Sequence, residues 1–390
     1  VKLTPFTTVL AVAVTTALTL TSCSTTEVGA NADDRLHVVT TTTQLTDFVG
    51  QVGGDDIDLT GLLAPGSSAH YFDPTAADLL ALGNADVLVM NGAGLDDFVN
   101  NAIDASGFSG IIIDASHGVD LERAREVTRE SLDGEAHEHE GDDSQAHDED
   151  MHDEGDHAHD ATEAASEAAH DDAHDAHDDE HAHAHEHEHE EHEHDHDHGD
   201  LNPHLWTSPR FAQGMVEEIA RGLADADAAH AERYEQRANE LTQQLDTLDQ
   251  WVAAQFARVP AVDRVLVTGH DSMRYYLHDY DITYAGSLLP SFEDHAEPSA
   301  AEIDALIDAI TTRKVKAIFV ESSLSPKLAQ AVANEAGVTV IDAESLYVDS
   351  LGAEGSEAEH YIAATVHNTR VILEAWGAEV DPLPENLERR

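Results

Sequence analysis

A single cysteine, Cys23, occurs in 390 residues. That excludes an intramolecular disulfide framework and any cysteine-based zinc finger. Basic residues are also scarce: 19 Lys and Arg stand against 79 Asp and Glu, a formal net charge of −60. Such a surface repels nucleic acid and anionic lipid headgroups and attracts cations. The apolar run from Phe6 to Leu20 falls short of the roughly 20 residues that a membrane-spanning helix requires. At 41% apolar composition the chain is still long enough for two domains with real cores.

What the sequence has in excess is histidine interleaved with acid. Residues 133–200 hold 18 of the 28 His and 29 of the 79 Asp and Glu, with no Lys, Arg, Phe, Trp or Tyr. With almost nothing to bury, the stretch reads as a disordered loop. Imidazoles alternating with carboxylates suit the collection of borderline divalent cations such as Zn²⁺. The accessory, low-affinity ligands are placed at His181, His183, His185, His187, His189, His192, His194, His196 and His198. The plainer reading is a solvated acidic spacer, although a spacer has no need of imidazole. The stretch satisfies H-E-x-x-H at 185–189 and 192–196, but that motif works only on a helix with one buried face. No apolar residue larger than Ala stands around these matches to form such a face, so no enzyme is read from them. Outside the loop, 50 acids face 19 bases over 322 residues, still a net of −31.

The N-terminus carries a short positive region, an apolar run and small residues before Cys23, which describes a secretory signal over residues 1–22. Leu20-Thr21-Ser22-Cys23 resembles a bacterial lipobox, which makes Cys23 the expected site of lipidation. Residues 23–35 suit a tether from membrane to domain.

Strands are expected at Leu36–Thr41, Ile57–Leu63, Val87–Met90 and Ile111–Ile113, with helices near 44–53, 75–83 and 95–104. That alternation predicts an N-terminal α/β lobe over 36–226, built on a parallel sheet and interrupted by the loop directly after its fourth strand. Ser208-Pro209 is a cap followed by Pro at the first helical position. From Asp227 to Val259, Tyr234, Ala238, Leu241, Leu245, Leu248, Val252 and Phe256 recur at intervals of three and four. They predict one linking helix of about 30 residues, about 45 Å long; a coiled-coil dimer is the competing reading. A second α/β lobe over 260–380 follows, with strands near 265–267, 282–285, 317–320 and 338–341 and helices near 272–279, 299–312, 326–335 and 356–376. A tail over 381–390 ends the chain.

Three of the ten histidines outside the loop occupy turns beyond strand ends or before helix starts, where open α/β sheets hold their ligands. They are His70 in Pro65–Pro74, His204 in Asn202–Trp206 and His270 in Gly269–Asp271. His117 is a rival in a similar turn, and His295 is a candidate contact near the cleft. The remaining histidines read as surface or satisfied core residues. An oxygen donor fits as fourth ligand, and Asp349 in Val348–Gly352 offers one; Glu321 is the alternative acid, or a partner to a ligating imidazole. Four protein ligands leave no open position for an activated water, so the arrangement argues for carrying a metal, not for hydrolysis.

From Leu36 to Trp376 the chain resembles the ZnuA-like group of cluster A-I solute-binding proteins of zinc or manganese ABC importers. The motifs are His70-Tyr71-Phe72-Asp73-Pro74, Asn202-Pro203-His204-Leu205-Trp206, Gly269-His270-Asp271, Glu297-Pro298-Ser299 and Val348-Asp349-Ser350-Leu351-Gly352. The resemblance implies two α/β lobes joined by a long rigid helix, with metal held between them by His70, His204, His270 and Asp349. It implies an extracytoplasmic, lipid-anchored monomer that delivers its cargo to an ABC permease. Histidine at the third position, where manganese members usually have Glu, favours Zn²⁺ over Mn²⁺. Asp73, Asn202 and Met273-Arg274 depart from the usual pattern, at positions that support the ligands. Alternatives are a stand-alone extracytoplasmic zinc buffer or metallochaperone, dominated by the loop, and a manganese-binding homologue with an adhesin-like role.

Overall fold

The β-branched runs form two four-stranded parallel sheets. Leu36–Thr40 (β1), Ile57–Gly61 (β2), Val87–Met90 (β3) and Ile111–Asp114 (β4) lie in the order β2-β1-β3-β4. Val265–Thr268 (β5), Thr283–Ser287 (β6), Ala317–Glu321 (β7) and Thr339–Leu346 (β8) repeat it as β6-β5-β7-β8. In each sheet the chain leaves the central strand to one side and returns on the other. The loops after β1 and β3, and after β5 and β7, therefore part and open a crevice at the carboxyl ends. The computed structural model describes residues 35–136, 201–289, 297–321 and 326–388. The signal at 1–22, Cys23, the nine loop histidines and His295 lie outside the described residues.

Helix starts follow local capping. Thr42 accepts from the Leu45 N–H ahead of α1 (Thr43–Gly53), and Ser208 accepts from the Phe211 N–H ahead of α5 (Pro209–Ala226). α2 (Ala76–Asn84) begins after the Asp73-Pro74 pair, because Thr75 and Asp78 form a reciprocal capping box. The helix expected at 95–104 is delayed to α3 (Asn100–Ser106). Residues 91–96 instead wrap a carboxylate: buried Asp96 accepts from the N–H groups of Asn91 and Gly92 and from the Thr41 hydroxyl. That turn places Gly92 at φ 76° with Asp114 where a Cβ would lie. α4 (Leu121–Ala136) follows β4, where the sequence reading passed straight into the loop. Its charged composition hid a buried stripe of Ala124, Val127 and Thr128, and Asp120 caps it through the Arg123 N–H.

α6 (Ala231–Phe256) has 26 residues, about 39 Å. It is shorter than the expected 227–259, because Asp227 turns the chain between α5 and α6 by accepting from His230 Nδ1 (2.5 Å) and the Tyr234 hydroxyl (2.9 Å). Its apolar stripe is spent inside the chain, against α1, α5 and α10 (Tyr361–Ala375), not on a second copy. The second lobe adds α7 (Arg274–Asp279), α8 (Ala300–Arg313) and α9 (Pro326–Ala336). α10 starts later than expected, since residues 353–359 turn with Gly355 at φ 78°. One buried apolar cluster runs from Val38 and Val89 through Leu245 and Phe256 to Leu266 and Phe319. The lobes thus share a core through α6, and rotating one against the other would break close packing. No helix among the described residues is long and apolar enough to cross a membrane.

Candidate metal centre

Four side chains from four separate stretches meet where the carboxyl ends of both sheets face each other. They are His70, His204, His270 and Asp349, and their ligand atoms all lie within 4.8 Å of one another. His204 Nε2 stands 3.0 Å from His70 Nε2, 3.3 Å from His270 Nε2 and 3.4 Å from Asp349 Oδ1. His270 Nε2 is 3.3 Å from Asp349 Oδ2. A tetrahedron with bonds of about 2.1 Å has edges of about 3.4 Å, and the four separations given lie near that length, Asp349 meeting His204 with one oxygen and His270 with the other. His204, His270 and Asp349 are buried, while His70 is half-buried beside exposed Tyr71, so access is from the His70 side.

The outer nitrogens decide which lone pairs point inward. Asn202 Oδ1 accepts from the His204 N–H at 3.1 Å and faces His204 Nδ1 at 2.8 Å, while its Nδ2 donates to the Asp271 carbonyl at 2.6 Å. That network orients the amide, puts the imidazole proton on Nδ1 and leaves Nε2 free to ligate. Glu321, at the end of β7, lies 3.3 Å from His270 Nδ1. It is held by the Gly269 N–H (2.9 Å) and the Ser272 hydroxyl (2.7 Å). Glu321 therefore sits behind His270, and Asp349 faces the centre.

Asp349 is aimed by the opposite lobe. The Val348 carbonyl accepts from Gln44 Nε2 (2.6 Å) and Trp206 Nε1 (2.9 Å), and the Leu351 N–H donates to Thr43 Oγ1 (2.9 Å). The His70 turn joins the same loop, since the Gly66 N–H donates to Ser350 Oγ at 2.7 Å. Gln44 and Thr43 carried no sequence signal, being some 300 residues from their partners. Trp206 and Asn202 lie in the Asn202–Trp206 motif, but the Val348 and Asp271 carbonyls they reach are distant in sequence.

Burial pushes the Asp349 carboxyl up, yet the charge of His270 and hydrogen bonds from His204 and His270 outweigh it and hold it well below the carboxylate range. Burial likewise disfavours the His270 imidazolium, but Asp349 and Glu321 overcome this and raise its pKa well above 6.5. Two buried carboxylates thus call for positive charge between them, which a proton on His270 or a divalent cation supplies. His117 stands apart, 67% exposed and 3.8 Å from Asp114. His37, His230, His278 and His360 each lie against an aspartate.

A family model described as "Zinc-uptake complex component A periplasmic" matches residues 38–375. The chain belongs to this ZnuA family. The manganese-binding lipoprotein MntA of Bacillus subtilis is 25% identical over 359 residues, 91% of this chain and 94% of that one. The zinc-binding protein TroA of Treponema pallidum is 26% identical over 350 residues, covering 89% and 90% of the two chains. The solved structure of TroA superposes with a TM-score of 0.64 at 22% identity, over 88% of this chain and all of that one, and it shares the fold. The ZnuA family comprises metal-binding solute-binding proteins of transporters, and relatives named for manganese and for zinc both match this chain.

Proposed function

We propose that this chain captures Zn²⁺ outside the membrane at His70, His204, His270 and Asp349 and delivers it to the permease of an ABC importer. It works as a monomer held to the membrane by a lipid at Cys23, with two lobes joined by α6. The observation that carries the reading is the donor set itself: three imidazole nitrogens and one carboxylate whose ligand atoms lie within 4.8 Å of one another. Three imidazoles suit zinc better than manganese, which takes carboxylate, carbonyl and water in six-coordinate shells. All four positions are filled by protein, which fits a cargo and leaves no site for an activated water.

The test is calorimetric titration of Zn²⁺ and Mn²⁺ into the chain lacking residues 133–200. One tight zinc site should survive, and His70→Ala should abolish it. Unchanged one-to-one affinity in His70→Ala would remove the assignment. Near-total loss of binding on deleting the loop would favour the stand-alone buffer.

A further inference from the structure

Residues 271–280, which contain α7, meet the N-terminal lobe along a polar seam beside the metal centre. At its far end Asp279, with a side chain 12% exposed, accepts from the Ser208 hydroxyl at 2.5 Å and from Arg210 Nη1 at 3.3 Å. Ser208 caps α5, four residues after His204; Asp279 ends α7, which begins four residues after His270. Arg210 Nε also reaches both carboxylate oxygens of Asp249 on α6, each at 3.1 Å. A second tie crosses the seam nearby, where Arg123 of α4 lies 2.9 Å from His278 Nε2. The turn bearing the second ligand and the turn bearing the third are therefore joined at the metal, beside it through Asn202 to the Asp271 carbonyl, and at the far end through Ser208 and Arg210 to Asp279.

We infer that Asp279 is the latch of the cleft, a positioning residue that sets how fast the bound metal leaves. The inference rests on the zinc-carrying reading above. With a shared core resisting rotation of the lobes, release has to proceed by local parting of the 204–210 and 270–279 segments. Asp279 bridges them at the end away from the metal and touches neither the metal nor a partner of its ligands. Ser208 contributes a short bond from a nearly buried hydroxyl. Arg210, with a side chain 48% exposed, contributes a pair that salt screens. The latch should thus have a salt-insensitive and a salt-sensitive part.

The test loads the full chain with one equivalent of Zn²⁺, adds excess chelator and follows the fluorescence of Trp206, whose ring centroid is 5.2 Å from that of His204. Asp279→Ala should release zinc about tenfold faster, equivalent to about 1.4 kcal/mol of lost barrier. Asp279→Asn, which keeps an acceptor for Ser208 but loses the charge, should fall between. Salt near 1 M, where the Debye length is about 3 Å, should speed release from the parent chain but not from Asp279→Ala. The absorption of bound Co²⁺ should be identical in all three, since no ligand has changed. Unchanged release in both variants overturns the inference, as does an altered Co²⁺ spectrum, which would mean the residue acts through ligand geometry. If the parent chain takes up no zinc, the functional reading fails instead, and the two failures are distinct.

Discussion

Asn202 Oδ1 lies 2.8 Å from His204 Nδ1, and the same amide donates across the cleft to the Asp271 carbonyl. One neutral side chain thus selects the tautomer of His204 and ties its turn to that of His270. An aspartate there would accept from His204 but could not donate to a carbonyl. Asn202→Ala removes all three bonds of the amide and, on the proposed reading, should weaken zinc binding about 10- to 100-fold, the usual effect of losing a partner of a ligating histidine. Competition with a chromogenic chelator measures it; an affinity within about twofold of the parent would show that His204 needs no such support.

Glu321 makes a parallel prediction from the other lobe. Glu321→Gln keeps the shape but removes the charge that faces His270 Nδ1 and accepts from Gly269 and Ser272. Zinc affinity should fall by a similar factor of about 10 to 100. The His270 pKa should move down, which a pH titration followed by imidazole NMR would register.

The two coupled groups set a pH dependence for metal-free and loaded protein. His270 has a folded pKa above its ordinary 6.5, so its contribution to metal-free stability is fully present below 6.5 and is lost as pH rises through the folded value. Asp349, depressed, stays ionised far into acid. On the proposed zinc-carrying reading the metal displaces the His270 proton, so apparent affinity should fall as pH falls, about tenfold per unit for one competing proton, below the folded His270 pKa. Thermal melts should show the metal-free chain losing stability as pH rises from 6.5 while the zinc-loaded chain does not. Equal slopes for the two forms would contradict the coupling.

Asp96 supplies a test of the fold apart from the metal. Burial lifts its pKa from 3.8 to about 6, against the pull of its bonds from Thr41, Asn91 and Gly92. A carboxyl raised in the folded state binds more protons there than in the unfolded chain. Its contribution to stability is therefore greatest in acid and is lost as pH rises from about 4 to about 6, a change on the order of 3 kcal/mol. Asp96→Asn should flatten the stability curve over that interval in urea unfolding. An unchanged curve would mean that Asp96 is not the group that titrates.

Much of this architecture is written locally. The β-branched runs at 36–40 and 87–90, the Ser208-Pro209 and Ser299/Glu302 starts and the three-and-four spacing from Tyr234 to Phe256 are short-range signals, and elements formed close to where they predicted. The misplaced boundaries lie where a distant or buried partner decides. Asp96 delays α3, Asp227 shortens the linking helix, and the buried Ala124, Val127 and Thr128 of α4 are hidden among charged neighbours.

Residue type and position by themselves determined the acidic surface, the two parallel sheets and the turns that carry His70, His204 and His270, because turn chemistry and periodicity act over a few residues; His117 and Glu321 stayed open there, and the set of four with Asp349 came from the family resemblance. Only the tertiary structure decided that His70, His204, His270 and Asp349 face one point, that Glu321 stands behind His270 and that Gln44 and Trp206 aim Asp349. Those relations join groups up to some 300 residues apart, and their distances follow from how both sheets pack on one shared core.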